Sequence, residues 1–229
     1  MSQIAKKRFA VGASMMAVFL GVMVAIFMPI FDGKNGLDYL DNLYNSISKG
    51  SAYYIPDLTE KNKKYAGRSV SLSLAMKDAA EAERAAKILT VSGGKTSVAG
   101  NTVALEGDLG AILEACLADS QLMFDNDGAA LSKRHQMGER LAQYTWWTIL
   151  HAMDKDLKRT KQFDEAKFVS MVKKKGVECS YNYYRIVPQN IGDRWGVVVA
   201  SLAFYVLYTV WYGFAVLFMF EGAGFRLEH

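Results

Sequence analysis

The sequence predicts a membrane protein with two transmembrane α-helices flanking an α+β extracytoplasmic domain. Three observations carry that expectation. Phe9–Phe31 and Trp195–Phe220 contain no charged residue over 23 and 26 positions. Lys6-Lys7-Arg8 stands directly before the first run. Between the runs, apolar residues recur with periods of two and of about 3.6, the marks of strands and helices. Hydrophobic residues make up 51% of the 229, yet mean hydropathy is only +0.04, because the apolar content is concentrated at the two ends.

A hydrocarbon core of about 30 Å takes roughly 20 helical residues, and both runs exceed that. A secretory leader would show a shorter apolar region, about 7–15 residues, before a small-residue cleavage site. The first run instead ends in Met28-Pro29-Ile30-Phe31-Asp32, so it is expected to be an uncleaved anchor. The basic cluster places residues 1–8 in the cytoplasm by the positive-inside bias. The expected division is then transmembrane 9–31, an extracytoplasmic domain over 32–194, transmembrane 195–220 and a cytoplasmic 221–229. That tail includes Arg226, and Leu227-Glu228-His229 reads as the remnant of a histidine tag. The expected location is a bacterial inner (plasma) membrane, with both termini cytoplasmic and 32–194 periplasmic or extracellular.

Each span has a patterned face. Ala13, Ala17, Gly21 and Ala25 recur every four residues in the first, and small residues at that spacing let helix backbones approach in lipid. Compositional richness in Ala and Gly is the alternative, and four such residues in register favour a packing face. In the second, Ser201, Tyr205, Tyr208 and Tyr212 fall within about 60° of arc at 100° per residue. A mid-span tyrosine needs a hydrogen-bond partner. The stripe is expected either to glue helices together or to line an oligomer axis, a water-filled path or a headgroup site. Among the spanning residues there is no Asp, Glu, Lys, Arg or His, which argues against a carrier with a buried charge.

The middle of the chain reads in order. Gly33–Gly36 is a turn, and Leu37, Leu40, Tyr44 and Ile47 give an amphipathic helix. Residues 55–64 are polar, a loop or short helix. Val70, Leu72, Leu74 and Met76 alternate with Ser69, Ser71 and Ser73 as a strand. Asp78 opens an Ala/Glu/Lys-rich helix that Gly93-Gly94 ends. Gly100-Asn101 turns a hairpin between two further strands, and Asp108 opens the next helix. This β-α-β-β-α order is that of a compact α+β unit and fits half of a ferredoxin-like layout. Asp125–Gly128 is a turn, followed by one long helix over 129–157 and a shorter one over 163–174 that Gly176 stops. Val177–Val187, rich in tyrosine, reads as a strand that would give the sheet four.

Candidate chemistry is sparse. Gly93-Gly94-Lys95-Thr96 contains the end of a phosphate loop, but Leu89 stands where its first glycine belongs. Asp125–Gly128 resembles part of a calcium loop, but Met123 and Arg134 occupy ligand positions. His135 and His151 lie 16 apart and lack a metal-binding spacing. Cys116 and Cys179 form no motif. A disulfide is chemically allowed outside the cytoplasm, and two buried thiols is the plainer expectation. No catalytic, cofactor-binding or metal residues are assigned. The adjacent Trp146 and Trp147 are expected in the core, with contact to membrane or partner as the alternative. Residues 32–194 carry 23 Lys/Arg against 21 Asp/Glu, no footprint for nucleic acid.

The expected partners are the lipid bilayer and further copies of the chain or other membrane subunits. The functional expectation is a non-enzymatic assembly or partner-binding scaffold. A homo-oligomeric channel lined by the second span and a sensor working through a partner are the alternatives. In architecture, two spans around an outer α/β domain with Pro188 before the second span resembles the polysaccharide chain-length regulators. Their proline-rich entry is reduced here to that single residue, and no function is carried across.

Overall fold

The computed structural model describes residues 3–31 and 33–225. Met1, Ser2, Asp32 and residues 226–229, Arg226 and the tag remnant among them, lie outside the described residues. The chain is mostly helical, with one three-stranded antiparallel sheet. Its elements are α1 (Gln3–Phe27), α2 (Gly36–Ser51), α3 (Ile55–Asn62), β1 (Ser69–Ala75), α4 (Ala79–Val91), β2 (Lys95–Ala99), β3 (Thr102–Asp108) and α5 (Leu109–Phe124). There follow α6 (Gly128–His135), α7 (Glu139–Arg159), α8 (Phe163–Met171), α9 (Cys179–Asn182) and α10 (Ile191–Ala223). They divide into two units, one of Met1–Ser48 with Pro188–His229, the other of Lys49–Val187.

In the first unit, α1 and α10 are long and apolar enough to cross a membrane, with mean hydropathies of 2.3 and 1.8. α10 extends past its uncharged run at both ends, whereas α1 starts before its run and ends at Phe27, four residues short of Phe31. The helical hydrogen-bond ladder continues through Lys6, Lys7 and Arg8 at one end and Asp193 and Arg194 at the other, because charge at a helix end does not break the backbone pattern. Asn190 caps α10 by accepting from the Gly192 amide at 2.8 Å. Gly224 closes it in the left-handed conformation, φ 92°. Asn35 caps α2 by accepting from the Asp38 amide at 2.8 Å.

The second unit is built on the sheet, in the order β1-β3-β2 with both pairings antiparallel. Val70, Leu72 and Leu74 of β1 and Val103 and Leu105 of β3 bury one face, and Ser69, Ser71 and Ser73 leave the other to solvent. Alternation of side chains along a strand dictates this division. Ile88 and Leu89 of α4 and Ile112 and Leu113 of α5 are buried in the same core. Each such side chain contributes roughly 1.5–3 kcal/mol of transfer free energy. Asp78 caps α4 through the Glu81 amide at 2.7 Å, and Asp108 caps α5 through the Gly110 amide at 2.8 Å.

The β-α-β-β-α order is present, and β1 and β2 flank β3 as in the split β-α-β half of a ferredoxin-like sheet. The expected fourth strand is not. Val177–Val187 begins inside a helix: α8 continues through a π-helical segment, Val172–Glu178, into α9. Gly176 does not stop it. A Cβ there would lie 3.3 Å from Leu117 and 3.6 Å from Leu58, so the glycine serves close packing instead. The free edge of β1 runs against α7, where Asp156 accepts from the Ser73 amide at 3.0 Å. A helix thus covers the edge that another strand would have occupied.

The single long helix expected over 129–157 is two. α6 ends at Gln136, which adopts φ 51°, and α7 starts after Gly138. The left-handed residue breaks the ladder. Residues 55–62, read as loop or short helix, are α3, with Pro56 in its first turn.

Candidate functional site

Within the first unit, α1 and α10 pack antiparallel along a seam that is small at one end and aromatic at the other. Ser201, Tyr208, Ala215 and Gly222 lie seven apart, one face of α10, and Ala215 and Gly222 are its buried residues. Gly12 is the buried residue of α1. A Cβ at Gly12 would meet the Met219 nitrogen at 2.7 Å, and one at Gly222 would overlap the backbone of Phe9. Further along, Phe19 stacks on Tyr208 with ring centroids 4.1 Å apart. The Tyr208 hydroxyl donates to the Phe19 carbonyl at 2.9 Å, and Trp211 Nε1 donates to the Met15 carbonyl at 3.1 Å. Each uses the second lone pair of a carbonyl already engaged in the α1 ladder. Arg8 and Glu221 pair at 2.8 Å beyond the small end.

The expected hydroxyl stripe is therefore divided. Tyr208 is taken by α1. Ser201 sits against α2: its own hydrogen goes to Val198, so the Tyr44 hydroxyl donates to it, at 2.7 Å. Tyr212 lies at the rim, its ring 5.1 Å from Phe19 and half-exposed. Tyr205 is 68% exposed and its hydroxyl has no hydrogen-bond partner among the described residues. The small stripe of α1 is not in the seam. At 100° per residue Ala13, Ala17, Gly21 and Ala25 centre about 180° from Gly12 and Phe19, and a Cβ at Gly21 would meet nothing within 4 Å. Gly12, Gly222 and Trp211 were not singled out from the sequence. The seven-residue spacing of Ala215 and Gly222 is the signal that points to them.

In the second unit the tryptophan pair splits. Trp146 is fully buried, which removes it from membrane or partner contact, and its Nε1 donates to Asp119 at 2.8 Å. Asp119, also fully buried, accepts from Arg134 and faces His135 Nε2, each at 2.5 Å. One carboxylate thus ties α5 to α6 and α7. Cys116 is buried one turn before it, and burial together with the Asp119 charge pushes its thiol pKa well above the usual range. Cys179 is a free thiol too and donates to the Ala52 carbonyl at 3.1 Å. No group of three or more His, Cys, Asp or Glu among the described residues is placed to hold a metal.

Trp147 instead forms the wall of a cavity of about 240 Å³ between α7 and the π segment with α9. Its Nε1 donates to Glu178 at 2.8 Å, and its ring is sandwiched between Tyr144 and His151 at 6.0 and 5.2 Å. Lys173 lies 5.4 Å from the ring centroid. Val177 and Tyr181 add apolar surface. Gln143 lines the same cavity and is fully buried. Its amide nitrogen donates to Ser180 at 2.6 Å and Ser120 at 3.0 Å, while its carbonyl oxygen has no partner. Burial and Lys173 lower the His151 pKa below its ordinary value.

A comparison with known protein families, with curated proteins and with solved structures finds no match.

Proposed function

We propose that the chain is a non-enzymatic two-span membrane protein that assembles, as a homo-oligomer or with other membrane subunits, through the outward faces of α1 and α10. Residues 49–187 act in this reading as an extracytoplasmic scaffold for partners. The observation that carries it is Gly21 in the small stripe of α1, exposed and with nothing within 4 Å of an added Cβ, on the side away from α10. A small residue left open in this way lets the backbone of a neighbouring helix approach closely in lipid. Two further features support the reading. Apolar side chains such as Val18, Leu207 and Trp195 are exposed at 51%, 69% and 66%, a surface suited to lipid and not to water. Tyr205 presents a mid-helix hydroxyl without a partner among the described residues, which a second copy can supply. The Arg8–Glu221 pair brings the start of α1 and the end of α10 together, in keeping with both termini on the cytoplasmic side.

The test is the mass of the full chain in nanodiscs by native mass spectrometry. Wild type is expected as a discrete oligomer. Ala17→Leu with Gly21→Leu is expected to release protomers that keep the wild-type circular dichroism. A monomeric wild type, or an unchanged oligomer in the double variant, overturns the reading.

A channel is the second reading, favoured by Tyr205, Thr209 and Tyr212 along one flank of α10. Recordings from purified protein in planar bilayers that stay silent across voltage, pH and tension would sink it.

A further inference from the structure

We propose that the outer edge of β2 pairs with the β2 edge of a second copy of this chain, antiparallel and centred on Ser97, so that two sheets become one. The hydrogen-bond phase of the sheet is the starting point. In an antiparallel ladder the backbone groups of successive residues point alternately to either side. The Leu109 amide donates to Arg68 and the Met76 amide to Asn101, both at 2.8 Å, so the even-numbered residues of β1 bond β3. Odd-numbered ones point away, as the Ser73 amide on Asp156 shows. Ser73 stands opposite Ala104, and Ala104 opposite Ser97. The same alternation gives Lys95, Ser97 and Ala99 to β3 and turns the N–H and C=O groups of Thr96 and Val98 outward. No group among the described residues bonds to them.

The two edges of this sheet are finished differently. That of β1 is closed by Asp156 of α7. That of β2 has neither proline nor bulge, the usual protections. Its one charge, Lys95, faces Glu106 across the ladder. Its core face is unfinished too, with Thr96 and Val98 only half-buried. An edge of this kind accepts an extended chain, and β2 is complementary to itself. Thr96 and Val98 can meet Val98 and Thr96 of a second copy about a two-fold axis, each pair exchanging both N–H···O bonds. Sliding by two places spoils the match either way. One slide sets Val98 against Gly94, whose amide is already bonded to Leu89 at 2.9 Å. The other sets Thr96 against Gly100, in the turn at φ 62°. In the centred register Lys95 stands opposite Ala99, and the two Lys95 residues are about 14 Å apart along the strands. On the core face Val98 lies against Thr96, whose hydroxyl is held by Thr90 at 2.9 Å, which leaves the methyl group for contact. A seam this short is weak alone and rests on the assembly proposed above, which holds copies at high effective concentration.

Disulfide trapping of the full chain in nanodiscs provides the test. Opposite residues of a non-hydrogen-bonded pair have Cα atoms about 4.5 Å apart, within the range a disulfide spans. Ser97→Cys is expected to form linked dimers under mild oxidation. Lys95→Cys and Ala99→Cys are each expected to form none alone, and to link to one another when reconstituted together. Wild type, with Cys116 and Cys179, gives the background. Val98→Pro removes an outward donor and leaves the bonds to β3 in place, so adding it to Ser97→Cys is expected to abolish the link. Ser97→Cys linking no better than Lys95→Cys, or a link that survives Val98→Pro, overturns the proposal. Linkage of Ser97→Cys in native membranes only to a chain of another mass assigns the edge to a different partner and overturns it as well. Native mass spectrometry of the same samples separates this contact from that of the helices. A discrete oligomer without the Ser97 link overturns the strand pairing alone. Ser97-linked dimers with unchanged oligomer mass in Ala17→Leu with Gly21→Leu overturn the helix contact alone.

Discussion

Gly12 lies against the carbonyl oxygen of Ala215, where an added Cβ would come within 2.8 Å of it. The close contact of α1 with α10 at that level exists because neither residue has a side chain beyond a methyl group. Gly12→Leu is expected to force the two backbones apart and to cost about 1–3 kcal/mol, the usual cost of overpacking. Thermal unfolding of the full chain in detergent measures it. A midpoint equal to wild type would mean that the helices do not pair in this register.

Asp119 holds three donors while fully buried. Asp119→Asn removes the charge and turns half of the acceptor into a donor facing Arg134 or His135. Breaking a buried ionic arrangement from one side costs about 3–5 kcal/mol. The urea midpoint at neutral pH is expected to fall accordingly. Trp146→Phe, which removes one donor and leaves the charge paired, is expected to cost about 1–3 kcal/mol.

His151 makes stability depend on pH. In the folded chain its pKa is lowered from 6.5, first by burial and then by Lys173 and Lys155, with Asp154 opposing. Below pH 6.5 the unfolded chain takes up a proton that the folded chain resists until its own lower pKa is reached. Stability from this residue is therefore complete above 6.5 and declines as pH falls through that window. His151→Phe is expected to flatten the profile between pH 7 and 5. Thermal midpoints recorded at half-unit steps provide the check, and an unaltered slope would contradict the assignment.

Lys49 is 1% exposed, yet among the described residues it forms no salt bridge. Its ammonium donates to the carbonyl oxygens of Ile186 at 2.7 Å and Tyr183 at 3.1 Å and to Asn126 at 3.3 Å, beneath the Phe124 ring. Burial holds its pKa below the ordinary lysine value. Asn126, at φ 66°, accepts in turn from the Arg185 amide at 2.6 Å. Lys49→Met is expected to loosen this join. Hydrogen exchange at Arg185 and Ile186 should quicken by about tenfold, with α5 and the sheet unaffected.

Much of the framework is legible in the residues themselves. Uncharged runs mark α1 and α10, serine alternation marks β1, Asp78 and Asp108 mark helix starts, and Gly100-Asn101 marks the hairpin. What escaped has physical causes. Tyr181, Tyr183 and Tyr184 favour strands in isolation, but Tyr184 is needed over Gly128, where its hydroxyl takes the space of a Cβ. Packing of that kind overrides propensity. Gly176 has the appearance of a stop signal, and only the nearness of Leu117 reveals its other use. Periodicity placed Tyr208 on a polar stripe, but its partner is a backbone carbonyl, a group every residue possesses and no pattern advertises. The cavity beside Gln143 depends on a π segment, for which Val172–Glu178 carries no signature.

The bond between Lys49 and Ile186 has a topological consequence. It joins the first residue of the sheet-containing unit almost to its last, so that the whole segment leaves and returns at one point, as a short turn would. Residues 49–187 thus have the form of an insertion. Replacing them by a few glycines and serines should leave a hairpin of α1 and α10 able to form by itself, and the excised segment, closed at its own ends, is a module that can be transplanted.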